Sequence, residues 1–556
     1  MTATNGKKFP LFKWCCSKTT SRIDDPGKII SAILSERGLM DSVEKYHSPD
    51  LIKGTASVVN RISSAVKNGE TMLVHGDYDV DGIVGTVLLH RFLKSVGAKS
   101  VIFLPTRWEH GYGLSQDAIL KAVESKISLI VTVDCGISDF KKVQFARERG
   151  IDVVITDHHQ TSNTIPEDVA IMHPGIPEGS YPFPSLSGTA VVYKLILALS
   201  EKLGISIRED EYLPYVALSI ITDIMPIVGE NRKFVRDGIM ALKRGHAPHI
   251  EILARAGGYS LDGVGARELG MHVGSRLNAP GRLESPVMSA RFLLEEDPKK
   301  MAKIAGDIER LNARRREIQE NLARKALENA YKESHLPVHV LHDPAWHEGL
   351  LGTAAARVVD ELGHPVILLT KSESQLWKGS GRAPDSVDLF GLISPVAHYL
   401  EHFGGHQGAC GLCIDGEKIG AFKKALLDQF MINYPDGIPP LTLDIISKLP
   451  ADGINLKFAD DLVVLEPYGK GNPEPLFEFS PLFIETANYV GGGNHLKLSF
   501  KSASRNYDGI LFSVKGISPG DVVGRTVSIA ATPKANDYNG KKTLEFQVRD
   551  IMPLDA

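Results

Sequence analysis

The chain has 556 residues, of which 43% are hydrophobic and 23% charged, with a formal net charge of -4. That length is too great for one core and points to roughly three or four domains, while the composition is that of a globular protein rather than a disordered or membrane-embedded one. A charge so close to neutral excludes a general positive field for polyanions, so any nucleic acid must be held by local arginines and metals.

Residues 1–50 read as a helical lead-in, with Ile29, Ile30, Ile33 and Leu34 at helical spacing. From 51 to 285 strand and helix alternate: 72–74, 83–96, 101–104, 115–124, 129–133, 141–149 and 153–155. Short apolar strands separated by helices argue a parallel sheet covered on both faces. Segments 187–203 and 213–224 complete this domain as helices. The stretch 286–335 reads as a connecting helix, with Ile304, Ile308, Leu311, Ile318 and Leu322 on one face. Arg310, Arg314, Arg316 and Arg324 fall largely elsewhere and read as a solvated face rather than the flank of a nucleic-acid groove. A second, smaller α/β unit occupies 336–440, with strands at 338–341 and 366–369 and helices near 353–362 and 419–430. After the Pro- and Gly-bearing break at 434–440 the texture changes. Short strand-like runs at 476–483, 495–500, 507–512, 526–531 and 543–548 suit a C-terminal β-barrel of OB type over 441–556.

The five cysteines, Cys15, Cys16, Cys135, Cys410 and Cys413, have no disulfide-framework spacing. Cys410 and Cys413 form a lone CxxC and read as small buried thiols rather than a zinc site. The start lacks a long apolar run, and no stretch approaches the roughly 20 apolar residues of a membrane span. A reducing cytoplasm, with no membrane, is the expected setting.

Four acidic clusters each close an apolar run: His75-Gly-Asp77-Tyr-Asp79-Val-Asp81-Gly82, Val133-Asp134-Cys135, Thr156-Asp157-His158-His159 and Thr222-Asp223-Ile224. Carboxylate oxygens mixed with imidazole nitrogen, and almost no thiolate, are what a pair of Mn²⁺ or Mg²⁺ ions requires. The first three clusters follow predicted strands at one carboxyl edge, where open α/β sheets bind ligands. Any one of these aspartates alone would more often be a helix N-cap, and His158 alone a structural histidine. Their recurrence at strand ends in one domain favours a site. Two ions roughly 3.5 to 4 Å apart would clamp a phosphodiester and activate a water, so no protein nucleophile is needed. A bridging carboxylate serves best from a central strand, which makes Asp134 the natural candidate. The residues themselves thus read as a two-metal phosphoesterase.

These motifs resemble those of the DHH phosphoesterase superfamily, and within it the single-strand-specific exonucleases. Beside Asp157-His158-His159 the resemblance rests on Pro105-Thr106-Arg107 leading to Gly111-Tyr112-Gly113-Leu114, Ser187-Gly188-Thr189, and Arg276-Leu277-Asn278-Ala279-Pro280-Gly281-Arg282. It continues through Gly379-Ser380-Gly381-Arg382, Gly404-Gly405-His406 and Leu465-Glu466-Pro467-Tyr468-Gly469-Lys470-Gly471-Asn472-Pro473. Nearly the whole chain is covered, the amino-terminal segment most weakly.

By that resemblance residues 51–285 form a DHH catalytic domain, 336–440 a DHH-associated domain joined to it by the long helix, and 441–556 the nucleic-acid-binding barrel. His75 and Asp79 would hold one metal with Asp223, Asp81 and His158 the other, and Asp134 would bridge. Asp77 and His159 would complete the inner shell as catalytic residues, His159 near the scissile phosphate, while Asp157 orients its neighbours. Arg107, Arg282 and Arg382, with Ser380 and His406 from the second domain, would bind substrate phosphate, since arginine offers a planar fork for phosphate oxygens. Two positions depart from the pattern: Cys410 stands where alanine usually does, and Ala383 where serine is common; both are small for small, so the pocket is expected to survive without one hydroxyl contact to phosphate.

The implied activity is metal-dependent hydrolysis of single-stranded DNA from the 5′ end to mononucleotides, in repair and recombination. A single-strand-binding protein and a helicase are the implied partners. Barrel aromatics Phe479, Phe483, Tyr489, Tyr507 and Phe512 are candidates for base stacking, though at strand period about half should be core. The alternatives are an oligoribonucleotide or cyclic-dinucleotide phosphodiesterase of the superfamily, usually two-domain chains without a barrel, or a non-catalytic scaffold of the same descent. The filled ligand positions argue against the scaffold.

Overall fold

The computed structural model describes residues 10–17, 20, 23–40, 45–106, 111, 113–161, 164–372, 375–514, 517–538 and 541–554. Strand β1 (Lys13–Cys16) opens it, followed by helix Pro26–Glu36. A parallel sheet then runs in the order β3-β2-β4-β5-β6, from β2 (Thr71–His75), β3 (Lys99–Phe103), β4 (Leu129–Val133), β5 (Asp152–Thr156) and β6 (Ala170–Met172). Alternate residues feed opposite cores. Met72, Val74, Leu129, Val131 and Val133 join the larger one, whereas Leu73, Ile130, Val153 and Ile155 join a smaller one with Ala118, Ile119 and Val143. Both faces are therefore covered, which is why the strands read as unbroken apolar runs. The order reverses between β2 and β4, and a crevice opens at their carboxyl ends.

The 35-residue helix Pro298–Lys332 links two cores. Met301, Ile304, Ala305 and Ile308 pack on the first domain, and Leu322, Ala323, Ala326 and Ala330 on the second. Its exposed arginines are ion-paired, Arg314 with Glu284, Arg316 with Glu309 and Arg324 with Glu328, as a solvated face would be.

The second sheet runs β10-β11-β9-β8-β7, from β7 (His339–His342), β8 (Val366–Lys371), β9 (Trp377–Arg382), β10 (Leu400–His406) and β11 (Ala409–Ile414). Only β7 and β8 pair in parallel. The sequence pattern showed only the two apolar strands of this sheet. Gly379-Ser380-Gly381-Arg382 and Gly404-Gly405-His406 show no strand pattern because glycine weakens strands, yet both lie in paired strands. Their glycines fit where a side chain does not: a Cβ on Gly381 would fall 2.6 Å from Cys410 Sγ. Cys410 and Cys413, three apart on β11, point to opposite sheet faces, so they do not form a common ligand pair.

Toward the C-terminus, β12 (Thr442–Leu449) precedes a closed barrel of β13 (Leu476–Val490), β14 (His495–Lys501), β15 (Asn506–Leu511), β16 (Thr526–Tyr538) and β17 (Lys541–Pro553), sealed by β13 against β16. The lead-in belongs to this unit. β1 pairs in parallel with β12, Ile29 and Ile33 join the barrel core, and the Trp14 indole donates to Asp550 at 2.8 Å. The lead-in carries this strand beside the expected helix; the strand had no signal in the sequence, since four residues are too few to show a period and its partner lies over 400 residues away.

Candidate metal centre

β2 delivers His75 and Asp77, and its loop ends in Asp79, which caps helix Val80–Ser95 by accepting from the amides of Asp81 at 2.9 Å and Gly82 at 3.2 Å. Asp134 closes β4 with φ of 62°. That is an uncommon backbone for a β-carbon residue, and such strain collects at functional sites. Gly188 meets it from the other side: a Cβ there would lie 2.6 Å from Asp134 Oδ1, so Ser187-Gly188-Thr189 needs its glycine for close approach. Asp223 sits just past helix Leu213–Thr222.

Ligand atoms of Asp77, Asp79 and Asp134 lie within 4.8 Å of one another, as do those of Asp81, His158 and Asp223, and of Asp134, His158 and His159. Asp134 and His158 join neighbouring groups. Asp134 Oδ1 and His158 Nε2 approach to 3.0 Å, yet they are not aligned as donor and acceptor, and with His158 Nδ1 they are buried atoms without a hydrogen-bond partner. Orphaned buried polar atoms are costly unless something else satisfies them. Carboxylate oxygen and imidazole nitrogen converging on one space are the donor set a hard divalent cation takes, so the residues fit such an ion.

The electrostatics agree. Burial, then the charges of Asp81, Asp79, Asp223 and Asp77, push the Asp134 carboxyl well above its usual range. Burial, then Asp81 and Asp79, raise Asp223 to about 8, and burial with Asp81 raises Asp79. A cation in their midst would reverse this, since it is the largest local charge. Burial lowers His158, which keeps a lone pair available at neutral pH.

Asp157 is the carboxylate that holds the His158–His159 peptide. Fully buried, it accepts from the amides of His158 at 2.7 Å, His159 at 3.1 Å and Ile137 at 3.0 Å, and from His159 Nδ1 at 2.8 Å. Burial acts to raise its pKa, but these bonds and the imidazole charges win and hold it at about 2. For His159 burial works downward, and the Asp157 hydrogen bond and charge outweigh it, to about 9.

Two expected ligands are placed differently from the rest. The Asp81 carboxylate is seated on the N-terminus of helix Gly188–Leu203, accepting from the amides of Gly188 and Thr189 at 2.7 Å each and from Ser219 Oγ at 2.6 Å, with Oδ2 3.8 Å from His158 Nε2. His75 is buried, and its Nε2 accepts from the Ser115 amide at 3.0 Å, which puts it in none of the three groups. Ser219 and Thr189 had no signal in the sequence as carboxylate holders.

Of the phosphate-binding candidates, Arg282 ends a helix of the first domain, whereas Ser380, Arg382 and His406 lie on strands of the second. Gly281 packs on the carbonyl of Tyr78 in the metal loop, and the Arg282 carbonyl packs on Gly349. Gly352, one helical turn further, packs against the Arg382 guanidinium and Ser380 Oγ. Arg382 Nη1 donates to Ser380 Oγ at 3.2 Å and to the Gly381 carbonyl at 2.7 Å. His406 ends β10, exposed. Arg107 lies outside the described residues. One feature of the site had no expected role: Lys470, in a turn lying against residues 226–228, whose charge acts on Asp223.

Comparison with known proteins bears on these residues. Residues 71–220 match the DHH family N-terminal domain, 335–432 the DHHA1 domain and 447–550 the RecJ OB domain. The chain is similar to the single-stranded-DNA-specific exonuclease RecJ of Thermus thermophilus, 31% identical over 508 residues, covering 91% of this chain and 72% of the relative. It is likewise similar to that of Haemophilus influenzae, 30% identical over 551 residues, covering 94% and 95%. The crystal structure of RecJ in complex with Mn²⁺ from Thermus thermophilus superposes with a TM-score of 0.84 at 27% identity, over 99% of this chain and 81% of that one. The Mg²⁺ complex gives 0.76 at 26% identity, over 98% and 79%.

Proposed function

The chain belongs to the RecJ family of single-stranded-DNA-specific exonucleases, and from that premise we propose that it hydrolyses single-stranded DNA from the 5′ end to mononucleotides, using two divalent cations. The observation that carries this reading is the buried convergence of Asp134 Oδ1 and the His158 ring nitrogens, which have no hydrogen-bond partner and belong to neighbouring ligand groups. We assign Asp77, Asp79 and Asp134 to one ion and Asp81, His158 and Asp223 to the other, with Asp134 as bridge and His75 bracing the end of β2. Mn²⁺ or Mg²⁺, once bound, would supply Lewis acidity at the phosphorus and lower the pKa of the attacking water.

The chain's own groups do the rest. Asp157 commits His159 Nδ1 and keeps the ring protonated at neutral pH, so its Nε2–H is the group that meets a phosphate oxygen as charge develops there. Arg382 and Ser380, with Arg282 and His406, form the pocket for the terminal phosphate. In the barrel Phe479 and Tyr507 are core, while Phe483, Tyr489 and Phe512 are 41%, 50% and 45% exposed and offer faces for base stacking.

The five cysteines are free, and among the described residues no helix is long and apolar enough to cross a membrane. We place the activity in the cytoplasm, in repair and recombination, where a single-strand-binding protein and a helicase would supply the strand. The test is digestion of one end-labelled DNA set, with 5′ overhang, 3′ overhang and blunt ends, in Mn²⁺ and in Mg²⁺. Mononucleotides released from single-stranded 5′ ends are expected. Release from 3′ ends, or faster turnover of short oligoribonucleotides or cyclic dinucleotides than of DNA, overturns the reading.

A further inference from the structure

Gly469 and Asn472 close a tight turn, each amide donating to the other's carbonyl at 2.9 and 3.0 Å. Gly471 has φ of 77° and Lys470 does not take positive φ, which is the backbone of a type II turn with Lys470 at its second position. The turn lies flat against the segment that follows Asp223. The Ile227 amide donates to the Lys470 carbonyl at 2.7 Å, a Cβ on Gly469 would fall 2.5 Å from Ile227 Cδ1, and one on Gly471 would fall 3.3 Å from Val228 Cγ1.

Its base is held as firmly. Buried Asn472 donates to the carbonyls of Leu465 and Pro467 at 2.8 and 2.9 Å and accepts from Arg37 at 2.7 Å. Arg232, on the helix after the Asp223 segment, donates to the carbonyls of Val464 and Glu466 at 2.7 and 2.9 Å. What this scaffold presents is one exposed ammonium. Among the described residues Lys470 has no carboxylate within salt-bridge distance, and its turn is docked on Ile227, in the segment that follows Asp223. The second position of such a turn accepts most residues and favours proline, so nothing in the backbone calls for lysine.

We propose that Lys470 binds a backbone phosphate of the strand 3′ to the scissile bond, so that the C-terminal unit contributes directly to the metal centre. This rests on the exonuclease reading above and extends it. Arg282 and Arg382 connect to the metal loop through Tyr78, whereas Lys470 stands at the Asp223 side, and within a few residues its turn leads into β13 of the barrel. A strand captured by its terminal phosphate at the arginines and stacked further along on the barrel passes this lysine between them. An ammonium there acts as a point charge on a phosphate oxygen and needs no fixed angle.

The experiment uses single-stranded oligonucleotides in which one phosphate at a time is replaced by neutral methylphosphonate, with wild type, Lys470→Ala and Lys470→Arg. The assignment predicts about a tenfold loss in kcat/KM for Lys470→Ala, as for a lost hydrogen bond to a charged group. It also predicts that the variant becomes insensitive to methylphosphonate at one position near the cleaved bond while keeping wild-type sensitivity elsewhere. Lys470→Arg should restore both and keep wild-type Mn²⁺ affinity, and Lys470→Ala should bind Mn²⁺ no more weakly than wild type, with unchanged thermal midpoints throughout. Equilibrium binding of the same oligonucleotides in Ca²⁺ reads the same contact without turnover, so a failed exonuclease reading is told apart from a failed Lys470 contact. A methylphosphonate profile identical in wild type and Lys470→Ala overturns the proposal, as does an arginine variant no better than alanine.

Discussion

His159 Nδ1 donates to Asp157 Oδ1 at 2.8 Å, and that same oxygen also takes the backbone amides of His158 and His159. One fully buried carboxylate therefore fixes the peptide that carries both imidazoles and sets the charge of one of them. Its influence on chemistry passes through its neighbours, since its oxygens are already committed to donors.

The pH profile should report this pair. In the metal-free chain the hydrogen bond and charge of Asp157 outweigh burial and raise His159 to about 9, and with the cations bound the Asp157 contact remains, so kcat should decline on the alkaline side as His159 loses its proton. Asp157→Asn removes the charge, and His159 should fall toward the unperturbed value of roughly 6.5. The alkaline limb then moves to lower pH, measured as kcat against pH at saturating Mn²⁺. An unmoved limb assigns it to another group.

Metal-free protein should lose stability as pH rises from about 4 to 8. Asp223 titrates at about 8 in the folded chain, against roughly 3.9 unfolded. The folded state therefore binds more protons across that window, and stability falls as pH rises through it. Asp134 and Asp79 act in the same direction. Thermal midpoints in chelator should decline over this range, and saturating Mn²⁺ should reverse the trend at the upper end, because the ion binds the ionised carboxylates.

Gly188→Ala tests the packing behind the bridge. Its new Cβ would meet the Asp134 carboxylate at 2.6 Å, which forces either the helix or the ligand to move. A cost of about 1 to 3 kcal/mol in stability is expected, together with a fall of about tenfold or more in Mn²⁺ affinity by calorimetry.

Arg382→Ala should spare metal binding and reduce kcat/KM by about ten- to a hundredfold, the loss expected for a bidentate charged contact. The preference for a 5′-phosphorylated over a 5′-hydroxyl strand should shrink with it. Steady-state kinetics on strands differing only at that terminus measure this, and an unchanged ratio moves end recognition first to Arg107 and then to Arg282.

β2, β4 and β5 of the first sheet were legible because each is a short apolar run leading into an acidic cluster, a pattern that carries strand, edge and chemistry at once, whereas β3 showed only its apolar run and the three-residue β6 showed no pattern. The second sheet was half hidden. Gly379 and Gly381 weaken strand propensity, and although β8 is the neighbouring strand in sequence, their pairing with β11 reaches past a helix and β10. Sequence distance hid β1, and it hid the seating of Asp81 on Gly188, Thr189 and Ser219, a contact spanning 107 to 138 residues. Lys470 was visible as part of a motif, but its place beside Asp223 arises only from how the turn docks on Ile227.

The most direct test is titration of Mn²⁺ into wild type and Asp134→Ala, followed calorimetrically, with cleavage of a 5′-labelled single strand measured on the same samples. The account predicts two ions in the wild type, at most one bound tightly in the variant, and cleavage abolished although the metal-free variant melts no lower than the metal-free wild type, because a buried carboxylate repelled by four others has been removed. A variant that binds two ions and turns over at a near-normal rate would contradict it.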